Sequence, residues 1–212
     1  MANNCITCLK IFGDKEEISQ LYEKLSTLTE KNSEYYQKFI EARSTNAPLP
    51  EYPPEITETT PCLWLGDIVS YFGGNNKEVE CRGTLDYFDL LSDTIIWIVT
   101  DTAWHPMPEM WDIVIKDYPS LKFYYLAEEC GCEIYINSDP TGEYFDALYQ
   151  VDHFGNDTED VASEEALFAH IANILEVEKI ESFEELDELL EVYNDDNPDE
   201  EIHYHKYEPP TP

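Results

Sequence analysis

The spacing of apolar and polar positions predicts most elements of the chain. Cys5 to Phe12 is apolar and rich in strand formers, and Gly13-Asp14 ends it with a turn and a helix N-cap. Ile18, Leu21, Tyr22, Leu25 and Leu28 then recur at spacings of three and four, with Glu16, Glu17, Glu23 and Lys24 on the other face, so an amphipathic helix follows and extends through Tyr35, Tyr36 and Phe39. Pro48, Pro50, Pro53 and Pro54 turn residues 44–61 into a loop. Cys62 to Phe72 reads as a short helix or buried turn, ended by Gly73-Gly74-Asn75-Asn76. Glu80–Phe88 and Thr94–Thr100 flank a turn at Leu91-Ser92-Asp93 and predict a hairpin, and its very apolar second strand is expected at the centre of the sheet. Pro106 and Pro108 fit the first turn of a helix through Trp111, Val114 and Ile115. Strands are expected at Leu121–Ala127, Cys132–Asn137 and Tyr144–Val151. Ser163 and Ser182 then cap two helices, the second with the Ser182 to Glu185 spacing of a capping box.

Strand, helix, hairpin, helix, strands is the split β-α-β order of an α+β protein, so a ferredoxin-like antiparallel sheet with helices on one face is expected. The expected organisation is a domain over 1–151 with an irregular Pro-rich insertion at about 44–80, an acidic helical extension over 152–194, and a mobile acidic tail over 195–212.

Charge changes this picture from a fold to a partner. The 212 residues carry 46 acidic and 12 basic side chains, a net charge of −34. Residues 1–151 hold 26 acids and 10 bases, whereas residues 152–212 hold 20 acids and only 2 bases. So few cations argue against direct binding to nucleic-acid phosphates or to anionic membranes. Fifteen Tyr, nine Phe and four Trp argue against a disordered acidic chain. Met1 to Cys5 lacks the start of a secretion signal and no stretch reaches membrane-spanning length, so a cytoplasmic location with reduced thiols is expected.

Several patches resemble one family. Asn3-Asn4-Cys5 before an apolar strand and Gly13, then Thr102-Ala103-Trp104-His105-Pro106, Tyr118-Pro119, Phe123-Tyr124-Tyr125 and Glu129-Cys130-Gly131, resemble the YubB-like proteins of phages, plasmids and integrated elements. The match covers roughly 1–13 and 80–150 and departs at Asn4, His105 and Met107. The resemblance implies a ferredoxin-like domain and an origin on a mobile element, and it implies no catalytic residues.

A phage or plasmid protein with this charge is expected to be a non-enzymatic nucleic-acid mimic. It would be an anti-restriction or anti-CRISPR inhibitor that occupies the RNA- or DNA-binding channel of a defence nuclease or CRISPR effector. The expected contacts are Glu181, Glu184, Glu185, Asp187, Glu188 and Glu191 on the last helix, followed by Asp195, Asp196, Asp199, Glu200 and Glu201. The bland alternative is a solvated acidic face. A second functional reading is a small enzyme with a carboxylate, histidine or metal site near Asp101, His105 and Glu109, with Asp112 close by in sequence. Helix capping and surface charge are the ordinary roles for those side chains.

No cofactor is expected, because no nucleophile elbow, phosphate-binding loop, dinucleotide glycine pattern or HExxH occurs. No metal is expected either. Cys5 and Cys8 fall on opposite faces of a strand and read with Cys130 and Cys132 as ordinary thiols, while His203 and His205 beside Glu200 and Glu201 offer at most an adventitious site. Trp97, Tyr124, Tyr125 and Tyr135 lack neighbouring cations for stacking RNA and read as core or protein-interface aromatics.

Overall fold

A computed structural model describes residues 3–154 and 158–210. They form a mixed α+β architecture with a six-stranded antiparallel sheet and five α-helices, divided into two compact units, Met1–Ile134 and Tyr135–Pro212.

The first unit begins with β1 (Asn4–Phe12) and α1 (Lys15–Thr45). Asp14 caps the helix as its position predicts, its Oδ1 accepting from the backbone N–H of Glu16 at 2.8 Å and of Glu17 at 3.4 Å. The expected apolar stripe is the buried one: Ile18, Leu21, Leu25 and Leu28 are at most 1% exposed. The helix ends where Asn46 takes φ 60°, a left-handed conformation that Asn tolerates. Next come β2 (Leu63–Trp64), α2 (Leu65–Tyr71), β3 (Gly83–Ser92), β4 (Ile95–Ala103), α3 (Pro108–Ile115) and β5 (Lys122–Glu129), and β6 (Ile134–Asn137) begins at the last residue of this unit and continues into the second. The sheet order is β2-β3-β4-β1-β5-β6, so β1 and the apolar β4 share the centre.

Alternation along the strands decides which side chains meet the helices. Cys5, Thr7, Leu9 and Ile11 of β1 and Ile96, Ile98, Thr100 and Thr102 of β4 are buried, and Leu9 pairs with Ile98 on one side and Tyr125 on the other. Thr7, Leu9, Thr100, Tyr125 and the α3 residues Met110 and Trp111 surround one internal space, which puts α3 on this buried face. The hairpin turn lies at Asp93-Thr94, and α3 starts at Pro108 with Pro106 outside it.

The Pro-rich insertion is irregular over 46–62 yet firmly held. Ile56 is buried, and the fully buried carboxylate of Asp67 accepts the backbone N–H of Thr57 at 3.0 and 3.1 Å and also its hydroxyl. A buried carboxylate is tolerable here because its donors come from the loop that it fastens.

The second unit departs from expectation. Only Tyr149–His153 of the last expected strand region is extended, as β7, and the preceding loop is organised by Asp139. That buried carboxylate accepts the backbone N–H groups of Thr141, Tyr144 and Phe145 at 2.7 to 3.1 Å and the Thr141 hydroxyl at 2.8 Å. Burial alone would raise its pKa, and the donated hydrogen bonds outweigh burial and hold it down at about 2. Then follow β8 (Glu159–Val161), α4 (Glu164–Ile174), α5 (Phe183–Asp196) and β9 (Ile202–Lys206). Ser163 and Ser182 cap the two helices as predicted.

Two boundaries are corrected. The division falls at 134/135 rather than 151/152, because β7 lies between β8 and β9 in a separate three-stranded sheet and contributes Tyr149 and Val151 to a core with Leu167, Ile171, Leu186 and Ile202. The C-terminal module is thus helices on a sheet rather than a helical extension. Within the segment read as a mobile tail, α5 continues to Asp196, β9 pairs with β7, and Glu208 exchanges backbone hydrogen bonds with Tyr135 and Asn137 at 2.9 and 3.0 Å.

Asp67→Ala strands the Thr57 donors and is expected to cost about 1–3 kcal/mol in urea unfolding. Asp139 is held below its ordinary 3.8 at about 2, so its stabilisation is complete above that ordinary value and is lost as pH falls through the two. The stability gap between wild type and Asp139→Asn, measured by urea unfolding across this range, is expected to close as pH falls and to stay open at neutral pH.

Candidate partner-binding surface

The surface singled out by charge is built on α5. Ser182 Oγ accepts from the Glu185 N–H at 3.2 Å, and the Glu185 carboxylate reaches back to the Glu181 N–H at 2.8 Å, one residue before the position that a capping box would serve. Leu186 and Leu190 are buried in the core, with Phe183, Leu189 and Tyr193 packed against it. Phe183 lies among Phe168, Tyr204 and Tyr149, with ring centroids at 5.1, 5.9 and 6.0 Å.

Strand β9 fixes the rotation of this helix. The Asn194 side chain accepts from the Ile202 N–H at 2.8 Å and donates to the Ile202 carbonyl at 3.0 Å. Tyr204 Oη donates to Asp187 Oδ1 at 2.8 Å, and burial together with that carboxylate pushes the phenol up to about 12. With the inner face thus held, Glu184, Glu188, Glu191 and Asp195, at spacings of four, three and four, form an exposed outer stripe. Successive carboxylates sit about 4.5–6 Å apart along the axis, a spacing of the same order as that of phosphates on a nucleic-acid strand.

The eleven expected contact residues divide into two groups. Glu181 pairs with Lys179 at 2.7 Å, Glu185 serves the helix start, Asp187 takes the Tyr204 hydroxyl, and Glu201 sits 3.2 Å from His203. Glu184, Glu188, Glu191, Asp195, Asp196, Asp199 and Glu200 are exposed and make no ion pair or side-chain hydrogen bond among the described residues. Asp195 and Asp196 lie in the last turn of α5, at the negative end of the helix dipole, with no basic residue there to offset them. Helix stability alone would favour Lys or Arg at those positions.

The other candidates do not assemble into one site. Asp101 alternates with the buried Thr100 and Thr102 and so points away from α3, where Glu109 and Asp112 lie. It accepts from Asn4 Nδ2 at 2.9 Å, and burial and then Asp86 raise its pKa. His105 pairs with Glu80 at 3.0 Å and, through Nδ1, approaches the Pro106 carbonyl at 2.7 Å. His205 stacks on Tyr135 at 4.0 Å, while His203 faces Glu201. No group of three His, Cys, Asp or Glu side chains among the described residues can hold a metal ion, and no cysteine is in a disulfide. Tyr125 is buried beneath α3, whereas Tyr124 lies tilted against Phe12 with ring centroids 5.4 Å apart on the other sheet face and Trp97 meets Tyr87 at 5.3 Å.

Sequence reasoning missed Tyr204 and Asn194, which orient the acidic helix. Their signal was the alternation of Ile202, Tyr204 and Lys206, masked by acids and prolines on either side. No helix among the described residues is long and apolar enough to cross a membrane. No family model, curated protein or solved structure matches this chain.

Asn194→Ala leaves both backbone groups of Ile202 without their partners and is expected to cost about 1–3 kcal/mol in denaturant unfolding. Asp195→Lys with Asp196→Lys is expected to raise the thermal midpoint, because the new charges suit the helix end; a lowered midpoint would show that these acids serve the fold.

Proposed function

We propose that this protein is a non-enzymatic acidic binder of a basic nucleic-acid-handling bacterial protein, acting by occluding an RNA- or DNA-binding channel. The observation that carries this reading is the outer stripe of α5, Glu184, Glu188, Glu191 and Asp195, left exposed and unneutralised on a helix rotationally fixed by β9. Residues 135–212 hold 23 acidic and 2 basic side chains, so the field around the stripe is of one sign. Such a field speeds encounter with a cationic channel and repels nucleic acid. A merely solvated face has no need of acids in the last turn of α5, where they oppose the helix dipole.

The target class is a defence nuclease or CRISPR effector, whose channel must be basic to hold its nucleic acid. A phage or mobile-element origin follows from the YubB-like resemblance. What supports it is that the resembling patches meet in space: the Trp104 N–H donates to the Asn3 carbonyl at 3.0 Å, and a Cβ on Gly131 would lie 2.3 Å from the Asn3 side chain. The order β3-β4-β1-β5, all antiparallel, with α1 leaving β1 and α3 entering β5, supports a ferredoxin-like reading of the first unit. On that reading β2 and α2 are an elaboration between the first helix and the hairpin.

The test is displacement. Titrating the full chain into complexes of such nucleases and effectors with labelled nucleic acid is expected to release the label, with potency falling as salt rises. The variant E184Q/E188Q/E191Q/D195N is expected to be about tenfold or more weaker, a loss of about 1.4 kcal/mol. Equal potency of this variant, or no release from any complex at low salt, overturns the reading.

A further inference from the structure

The second unit carries a groove that the α5 stripe does not use. It has a volume of about 700 Å³ and runs between α4 and the segment 177–181. Phe168, Ala169 and Ala172 line it from α4, and Val177 and Ile180 line it from the following segment. Glu164, Glu165, Glu178 and Glu181 stand around these apolar residues, and the one cation among the lining residues, Lys179, is already paired with Glu181 at 2.7 Å.

We propose that this groove docks a basic amphipathic helix of the partner protein. The proposal rests on the reading above that the partner is a basic protein, and it adds the shape of the partner segment. Phe168, Ala172 and Ile180 are themselves buried and belong to the core, so the groove is backed by packed apolar side chains. Ala169 and Ala172, one turn apart, leave room for an approaching helix to seat one or two large aliphatic side chains. The α4 helix is 11 residues long, about 16 Å, which matches roughly three turns of a docked helix. Lys or Arg on the flanks of that helix would meet the acidic rim, while an apolar stripe would meet the apolar lining. Charge excludes the other occupants. A second copy of this unit would bring 23 more acids and 2 bases to the same rim, and nucleic acid or anionic lipid would be repelled likewise.

The experiment uses the full chain and fluorescence anisotropy at about 0.15 M salt, where the Debye length is about 8 Å and distant charges are screened. The probes are a labelled Leu/Lys peptide of about 14 residues, four helical turns, with all Leu on one face, and a peptide of identical composition in which the Leu are dispersed. The one-faced peptide is expected to bind about tenfold or more tightly than the dispersed one. Ala169→Trp, which fills the groove from an exposed position, and E164Q/E178Q are each expected to weaken it by about tenfold, while E184Q/E188Q/E191Q/D195N changes it by less than about twofold. Ala169→Arg serves as a second blocking variant, and far-UV circular dichroism confirms that each variant is folded. Equal affinity for the two peptides, failure of either peptide to bind, or binding indifferent to both Ala169 variants overturns the groove. Loss of binding in the α5 variant to the same degree as in Ala169→Trp also overturns it and leaves the stripe as the contact. Failure of the groove under any of these outcomes leaves the displacement test of the α5 stripe standing as a separate measurement.

Discussion

Like charge is the constraint under which the second unit folds. With 23 acidic and 2 basic side chains in residues 135–212, carboxylates within a Debye length of one another repel whenever the chain is compact. Burial is what offsets that repulsion: Leu167, Ile171, Leu186 and Ile202 are fully enclosed, each contributing about 1.5–3 kcal/mol. The Phe183 ring, packed among three other aromatics, adds to the same core. Carboxylates that approach this interior are each given a donor. Asp139 gathers three backbone N–H groups and Asp187 takes the Tyr204 hydroxyl. Those that remain are left on the outside, and the unneutralised charge is therefore displayed on the surface.

The first unit meets a milder version of the same problem and solves it conventionally. Its 23 acids are accompanied by 10 bases, and its sheet buries one face of β1 and β4 beneath α3. Its one fully buried carboxylate, Asp67, fastens a loop through backbone donors. The two units therefore differ in surface charge, and the unneutralised negative charge is concentrated in the second.

Long periodic elements were legible from the sequence because their signal is repeated. α1 declares itself by Asp14, Ile18, Leu21, Leu25 and Leu28, and α5 by Ser182, Glu185, Leu186 and Leu190, so caps and inner faces could be read locally. β9 was not legible, since five residues among acids and prolines carry too little alternation, and what holds them is pairing with β7 and the Asn194 side chain. The spatial separation of Asp101 from Glu109 was hidden for a related reason. Asp101, His105 and Glu109 are close in sequence, but strand alternation turns Asp101 away from α3 and Glu80 claims His105.

The sequence by itself determined how much charge the chain carries, which helices form and which of their faces turn inward, because composition and 3.6-residue periodicity are local properties. Only the tertiary structure decided which carboxylates stay available. Glu185, Asp187 and Glu201 are engaged by Glu181, Tyr204 and His203, whereas Glu184, Glu188, Glu191 and Asp195 are not. It also decided that Ala169 lines an open groove while Ala172 beside it belongs to the core, because burial and hydrogen bonding depend on residues brought together from different elements.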